Sequence, residues 1–289
     1  MSDSKDSTQL EQELRKLKSE IAEKDADLSF YKEELDRINQ GLSKLLMGLD
    51  QDLTAIRTVF KYLVPSRFPH ISGFKFSTKY ISGMRFNGDY IDVFEQKDKF
   101  KFNLIMSTTS GPALTALLIG FLLKFGRDFG EVKGVTDPTE FLNRVLNEIK
   151  DKEENTADIQ LACALINKRT YEMECKVHGG VKCYHQKGDQ LDQVNQVGLN
   201  DKTETIKLNP YDRFVMVSPG LLGALNQSGN AFGSSPILDS MKSIPLTQSV
   251  HDLRNDVLYK LDRHLGGRKP MQDVSLIIVS VDNNVIKLV

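Results

Sequence analysis

The stretch "RFNGDYIDVFE", residues 85–95, sets two aspartates, Asp89 and Asp92, in an otherwise aromatic and β-branched run. Such a run predicts a half-buried strand. A carboxylate inside it is costly unless a metal or hydrogen-bond donors compensate it. Asp89 is expected to be held by backbone donors at the Asn-Gly-Asp turn, with a metal ligand as the competing role. Asp92, three residues on, falls on the other strand face. It is expected to accept hydrogen bonds within the fold or to face solvent.

Outward from this stretch, "GFKFSTKYI" (73–81) and "KFNLIMS" (101–107) also read as strands, as do 158–167, 171–178, 181–186 and 211–218. The run "ALTALLIGFLLKFGRDFG" (113–130) is almost wholly apolar and predicts a buried helix. Residues 138–150 and 247–267 predict amphipathic helices, the second stopping at Gly266-Gly267. The stretch 272–289 predicts two strands joined by a turn at Asn283-Asn284. Adjacent strands interrupted by helices favour an α+β fold over a doubly wound parallel sheet.

Before Pro65 the texture is different. Alternate steps of four and three residues pick out Leu10, Leu14, Leu17, Ile21, Leu28, Tyr31, Leu35, Ile38, Leu42 and Leu45, and continue through Leu49, Ile56, Val59 and Leu63. Lys24 and Asp52 break the series. A sustained spacing of 3.5 keeps one seam facing a partner helix. Glu13 with Lys18, and Asp27 with Lys32, place opposite charges beside that seam, as a parallel homodimer requires. The competing arrangement is an amphipathic helix folded back on its own domain, above all past Gly48. Pro65 ends the pattern, because proline cannot continue the helix ladder. Two domains are expected, a coiled-coil dimerisation helix over 1–64 and a globular domain over 65–289.

The totals exclude several functions. Lys and Arg number 38 against 39 Asp and Glu, a formal charge of -1, so no basic field suggests nucleic acid or an anionic membrane. The longest apolar run, 113–123, is too short to span a bilayer. No apolar signal segment follows the polar N-terminus, and three cysteines argue against a disulfide framework. A cytoplasmic protein without membrane insertion is expected.

The order of several motifs resembles the PPM-type, metal-dependent protein serine/threonine phosphatases. The similar branch is that of stage II sporulation protein E and the RsbU-like stress phosphatases of bacteria. That pattern reads L-x-P, G-G-D-x-Y-D, D-V-S-G-H-G before an apolar helix, an A-G-H turn, a strand ending T-D-G, and D-D-[IVM]-T. Here "LVP" (63–65), "NGDYID" (87–92), "TTSGPALTALL" (108–118), "HGG" (178–180), "YDRFVMVSPG" (211–220) and "QDVSLIIVSV" (272–281) follow in that order. The resemblance implies a four-layer α-β-β-α sandwich of two antiparallel sheets. It also implies a pair of Mg²⁺ or Mn²⁺ ions, held by carboxylates, that activates water against a phosphoserine or phosphothreonine.

Position by position, Asp89 matches the first metal ligand, while Thr108, Pro219 and Gln272 stand where the pattern has aspartate. Two divalent cations bring four positive charges, and Mg²⁺ demands near-octahedral oxygen ligation. One carboxylate offsets a quarter of that charge, and Pro219 offers no side-chain oxygen at all. Asp273 is expected to point away from Gln272, on the opposite face, and so not to substitute for it. Arg85, close to this vestigial pocket in sequence, is a candidate anion contact.

Cys175, His178, Cys183 and His185 superficially suggest zinc, but a hairpin turning at Gly179-Gly180 would set Cys175 and His178 on opposite faces. Small buried hydrophobes and a polar turn are the expectation there. By resemblance, the chain is expected to be a catalytically inactive, dimeric pseudophosphatase without a cofactor. It would bind a signalling protein such as an anti-sigma-factor antagonist. The alternative is a divergent phosphatase acting on a phosphorylated regulatory protein through a rearranged Mn²⁺ or Mg²⁺ site.

Overall fold

The computed structural model describes residues 3–65, 68–85, 88–96, 99–109, 120, 123–124, 159–194 and 204–282, with side chains in the first helix described from Leu14 onward. The chain divides into two compact units, Met1–Ala55 and Ile56–Val289.

Helix α1 runs from Asp3 to Leu63. No proline interrupts it, and Leu, Lys and Glu, all good helix formers, are among its commonest residues. In the first unit the apolar seam is bare. Leu14, Leu17, Ile21, Leu28, Tyr31, Leu35, Ile38, Leu42 and Leu45 are each between 52% and 68% exposed. Leu10 lies outside the described side chains.

The second unit begins with the last turns of α1. It continues with β1 (Phe74–Ile81), β2 (Tyr90–Glu95), β3 (Lys101–Thr109), β4 (Ile159–Asn167), β5 (Glu172–His178), β6 (Lys182–Lys187) and β7 (Gln190–Gln193). Then come β8 (Glu204–Lys207), β9 (Arg213–Val217), the short helix α2 (Pro219–Leu222), α3 (Ser235–Ser243), α4 (Val250–Leu265) and β10 (Val274–Val281). One sheet has the order β1-β10-β9-β6-β7 and the other β2-β3-β4-β5-β8. Every pairing is antiparallel.

The two sheets pack face to face. Phe102, Leu104, Met106, Ala164 and Cys175 from one meet Cys183, Phe214, Met216, Ile277 and Val279 from the other. Strand alternation sends Val215, Val217, Leu276 and Ile278 outward, where Leu253, Val257 and Leu261 of α4 and Ile237 and Met241 of α3 cover them. Both faces of β9 and β10 are thus buried, which explains why "RFVMV" and "VSLIIVSV" read as continuous apolar runs. On the far side Phe60 and Leu63 of α1, with Leu123, cover Tyr90, Ile105, Leu161 and Cys163. These layers form the α-β-β-α sandwich.

Helix α4 is bounded as its sequence suggests. Ser249 and Asp252 form a reciprocal capping box, and Gly266 closes the helix with a left-handed φ of 61°.

Several expectations need correction. Gly179-Gly180 is not a hairpin turn. It carries the chain from β5 in one sheet to β6 in the other, so Cys175 and Cys183 enter the central core from opposite sides. At the end of α1, Phe60 is buried and Val59 is 42% exposed, so the seam shifts by one residue where it meets the sandwich. The predicted helix 138–150 and the strand after Asn284 lie outside the described residues. So does the helix 113–130, apart from residues 120 and 123–124.

Candidate functional site

Asp89 sits immediately before β2 and is wholly buried. Three backbone segments converge on it. Residues 82–85 are laid along residues 270–271 by hydrogen bonds from Met84 N to Pro270 O (3.0 Å) and from Arg85 N to Met271 O (2.7 Å). Ser218 N donates to Ser275 O at 3.0 Å, and Ser275 N donates to Ser218 Oγ at 2.9 Å. These contacts leave no room for side chains at two glycines. A Cβ on Gly83 would stand 2.3 Å from the Gln272 carbonyl carbon, and one on Gly220 would stand 1.9 Å from the Asp273 carbonyl oxygen.

The backbone donors expected for Asp89 go elsewhere. Gly83 N and Gly88 N donate to the two carboxylate oxygens of Asp273, at 2.8 and 3.0 Å. Asp273 is also wholly buried. It precedes β10, so strand alternation does not govern its direction, and its charge acts on Asp89. Asp273 thus belongs to the same buried centre as Asp89, which its place beside Gln272 in the sequence did not suggest.

Neither oxygen of Asp89 meets a donor in hydrogen-bonding geometry. Burial pushes its carboxyl from 3.8 to about 7. The nearby hydroxyls of Thr108, Ser275 and Ser218 favour the charged form, and the charge on Asp273 disfavours it. Tyr80, on the same side, has its phenol raised by burial and then by Asp273, so it stays protonated. Asp92 takes the first of its two expected roles, accepting from Tyr90 Oη at 3.0 Å within the fold.

The other sequence candidates come to the same place. Thr108, near the end of β3, is buried and faces Asp89. Pro219 opens α2, with its ring against the Gly180 turn. Gln272 is half-buried, with its Cβ beside Gly220. Arg85 is exposed at the rim. Sequence reasoning missed Ser218, Ser275 and Asp273.

This convergence can be set beside known structures. No protein-family model matches the sequence, and no curated protein sequence does. The SiaA-PP2C domain of Pseudomonas aeruginosa superposes with a TM-score of 0.67 at 15% identity, covering 82% of this chain and 98% of that one. The RsbU and RsbW domains of a Mycobacterium tuberculosis protein give 0.64 at 15% identity, covering 78% and 64%. The chain has the PP2C phosphatase fold. The phosphatase domain of SpoIIE from Bacillus subtilis agrees, at 0.53 and 15% identity over 76% and 98%. At this identity the likeness carries the fold alone.

Proteins of the PP2C fold are expected to hold a pair of divalent ions, and the described residues of this centre do not fit one. Both carboxylates of this centre are buried, but Asp273 is engaged by two backbone N–H groups. That leaves Asp89, whose carboxyl burial raises, among three hydroxyls. Hydroxyls are neutral ligands and cannot balance four positive charges. Among the described residues, no group of three or more His, Cys, Asp or Glu could hold a metal ion. That statement includes the Cys175, His178, Cys183 and His185 set. Cys175 and Cys183 belong to the apolar core, and His185 Nε2 lies 3.0 Å from Asp212 Oδ2. No described helix is long and apolar enough to cross a membrane.

Proposed function

We propose that the chain is a catalytically inactive PP2C-fold protein acting as a dimeric binding module in bacterial signalling, with a signalling protein such as an anti-sigma-factor antagonist as partner. One observation carries the reading. Of the two carboxylates that the described residues bring to the centre, Asp273 is bound to the Gly83 and Gly88 N–H groups and Asp89 is buried among neutral hydroxyls. Without paired ions, the attacking water is not acidified and the charge developing on a phosphoryl group is not clamped.

The test is turnover of para-nitrophenyl phosphate at millimolar Mn²⁺. The natural chain is expected to show none above background. The triple variant Thr108→Asp, Pro219→Asp, Gln272→Asp is expected to recover Mn²⁺ binding. A specific observation favours a second reading, a divergent phosphatase. Both Asp89 oxygens lack hydrogen-bond partners and are free to face a cation. Metal-dependent turnover lost in Asp89→Asn would select that reading.

Dimerisation is proposed through the bare seam of α1, since a row of half-exposed leucines on one helix face is stable in water when a second helix covers it. Leu35→Glu with Leu42→Glu is expected to halve the particle mass in sedimentation, from twice the 32.6 kDa chain mass to one chain. An unchanged mass would remove the seam from the account.

A further inference from the structure

The loop 82–88 and the segment 266–272 together contain no acidic residue, although Asp and Glu outnumber Lys and Arg in the whole chain. Their hydrogen bonds bring their exposed side chains into one rim beside the degenerate centre. Arg57, from the end of α1, joins it by donating from Nη2 to Met84 O at 2.7 Å. Arg85, Arg268 and Lys269 are exposed, and no carboxylate among the described residues pairs with any of these four cations. Arg57 Nε is buried without a hydrogen-bond partner. Two methionines stand among the cations, Met84 at 63% and Met271 at 55% exposure.

We infer that the rim of Arg57, Met84, Arg85, Arg268, Lys269 and Met271 is the docking surface for an acidic segment of a partner protein that also carries an apolar side chain. The inference rests on the reading of this domain as a binding module and names its binding face. Unpaired cations on a backbone-pinned rim supply complementarity to carboxylates, with little ordering cost on this side. Methionine is flexible and polarizable, and suits a surface that must accept an apolar side chain of a partner. The net charge of -1 gives no long-range field to gather a polyanion such as nucleic acid or an anionic bilayer. Gln272 fits the same picture. Where the family pattern has aspartate, a neutral amide borders the rim and leaves its positive potential uncancelled.

The test uses the full chain and a fluorescein-labelled twelve-residue peptide of Glu and Asp with two central leucines, followed by fluorescence anisotropy. The acidic peptide is expected to bind, and its glutamine and asparagine counterpart is not. Raising the salt from low to half-molar should weaken binding roughly tenfold. Arg85→Glu with Lys269→Glu should weaken it at least about tenfold, and Met84→Ser with Met271→Ser roughly threefold with the salt dependence unchanged. Lys187→Glu, an exposed reversal elsewhere, should have no effect. Melting curves of each variant report whether the fold is kept.

Equal binding by the Arg85 and Lys269 double variant would overturn the inference. So would an equal loss in Lys187→Glu, or preferential binding to phosphatidylserine vesicles. The turnover assay separates this inference from the reading beneath it. A chain that binds the peptide at the rim and hydrolyses the ester refutes inactivity alone. A chain that does neither refutes the rim alone.

Discussion

Asp89→Asn is expected to raise the unfolding free energy near pH 9 by about 4 kcal/mol while changing it little near pH 4. The sign follows from burial. The folded carboxyl titrates at about 7, against 3.8 for an ordinary one, so the folded state holds its proton more tightly than the unfolded state. The stability linked to this group is complete below the unfolded value, is lost progressively between pH 4 and 7, and is absent above that window. Asparagine has the same shape and no charge to desolvate, and the Thr108, Ser218 and Ser275 hydroxyls are positioned to meet its amide. Urea denaturation of both proteins across that pH range reads the difference. If Asp89 instead held a dication, the variant would be the less stable protein whenever metal was present.

Gly220→Ala should destabilise the domain by at least about 3 kcal/mol. The new Cβ would fall 1.9 Å from the Asp273 carbonyl oxygen, 3.0 Å from its carbonyl carbon and 3.2 Å from the Gln272 Cβ. Two of these three atoms are backbone, part of the segment whose Asp273 side chain is bound to Gly83 N and Gly88 N, so neither can swing aside. Thermal melting would register the loss, and an alanine protein as stable as the parent would show that this junction is looser than described.

This glycine shows what the sequence made legible. The "SPG" turn stands where the resemblance places T-D-G, with Pro219 at the position of its carboxylate. Backbone packing at Gly220 is a demand of its own, and the structure meets it with a glycine. Strands β1 to β6, β9 and β10 could be read because alternation, or burial on both faces, leaves an apolar signature. Strands β7, "QLDQ", and β8, "ETIK", lack one, being short, polar edge strands whose pairing partner defines them. Helix α3, "SPILDSMKS", was equally silent, because Ile237 and Met241 gain meaning only against the sheet they cover.

The site was legible as a place and less so as a set of contacts. Motif order pointed to Asp89, Thr108, Pro219 and Gln272, and of the last three the structure sets Thr108 against Asp89. The role of Asp273 was hidden because strand alternation was applied to a residue ahead of its strand. The Gly179-Gly180 crossing was read as a hairpin because local turn chemistry is the same whether the next strand joins the same sheet or the facing one. The shift from Val59 to Phe60 reflects a change of partner, since a helix that meets a sheet is not held to the 3.5-residue repeat of a coiled coil.

Calorimetric titration of Mn²⁺ into the full chain at pH 8 tests the central claim most directly. With Asp273 occupied by backbone donors and hydroxyls in place of carboxylates, no saturable binding is expected at millimolar metal or below. Two bound manganese ions per chain in that range, with both sites lost in Asp89→Asn, would contradict it.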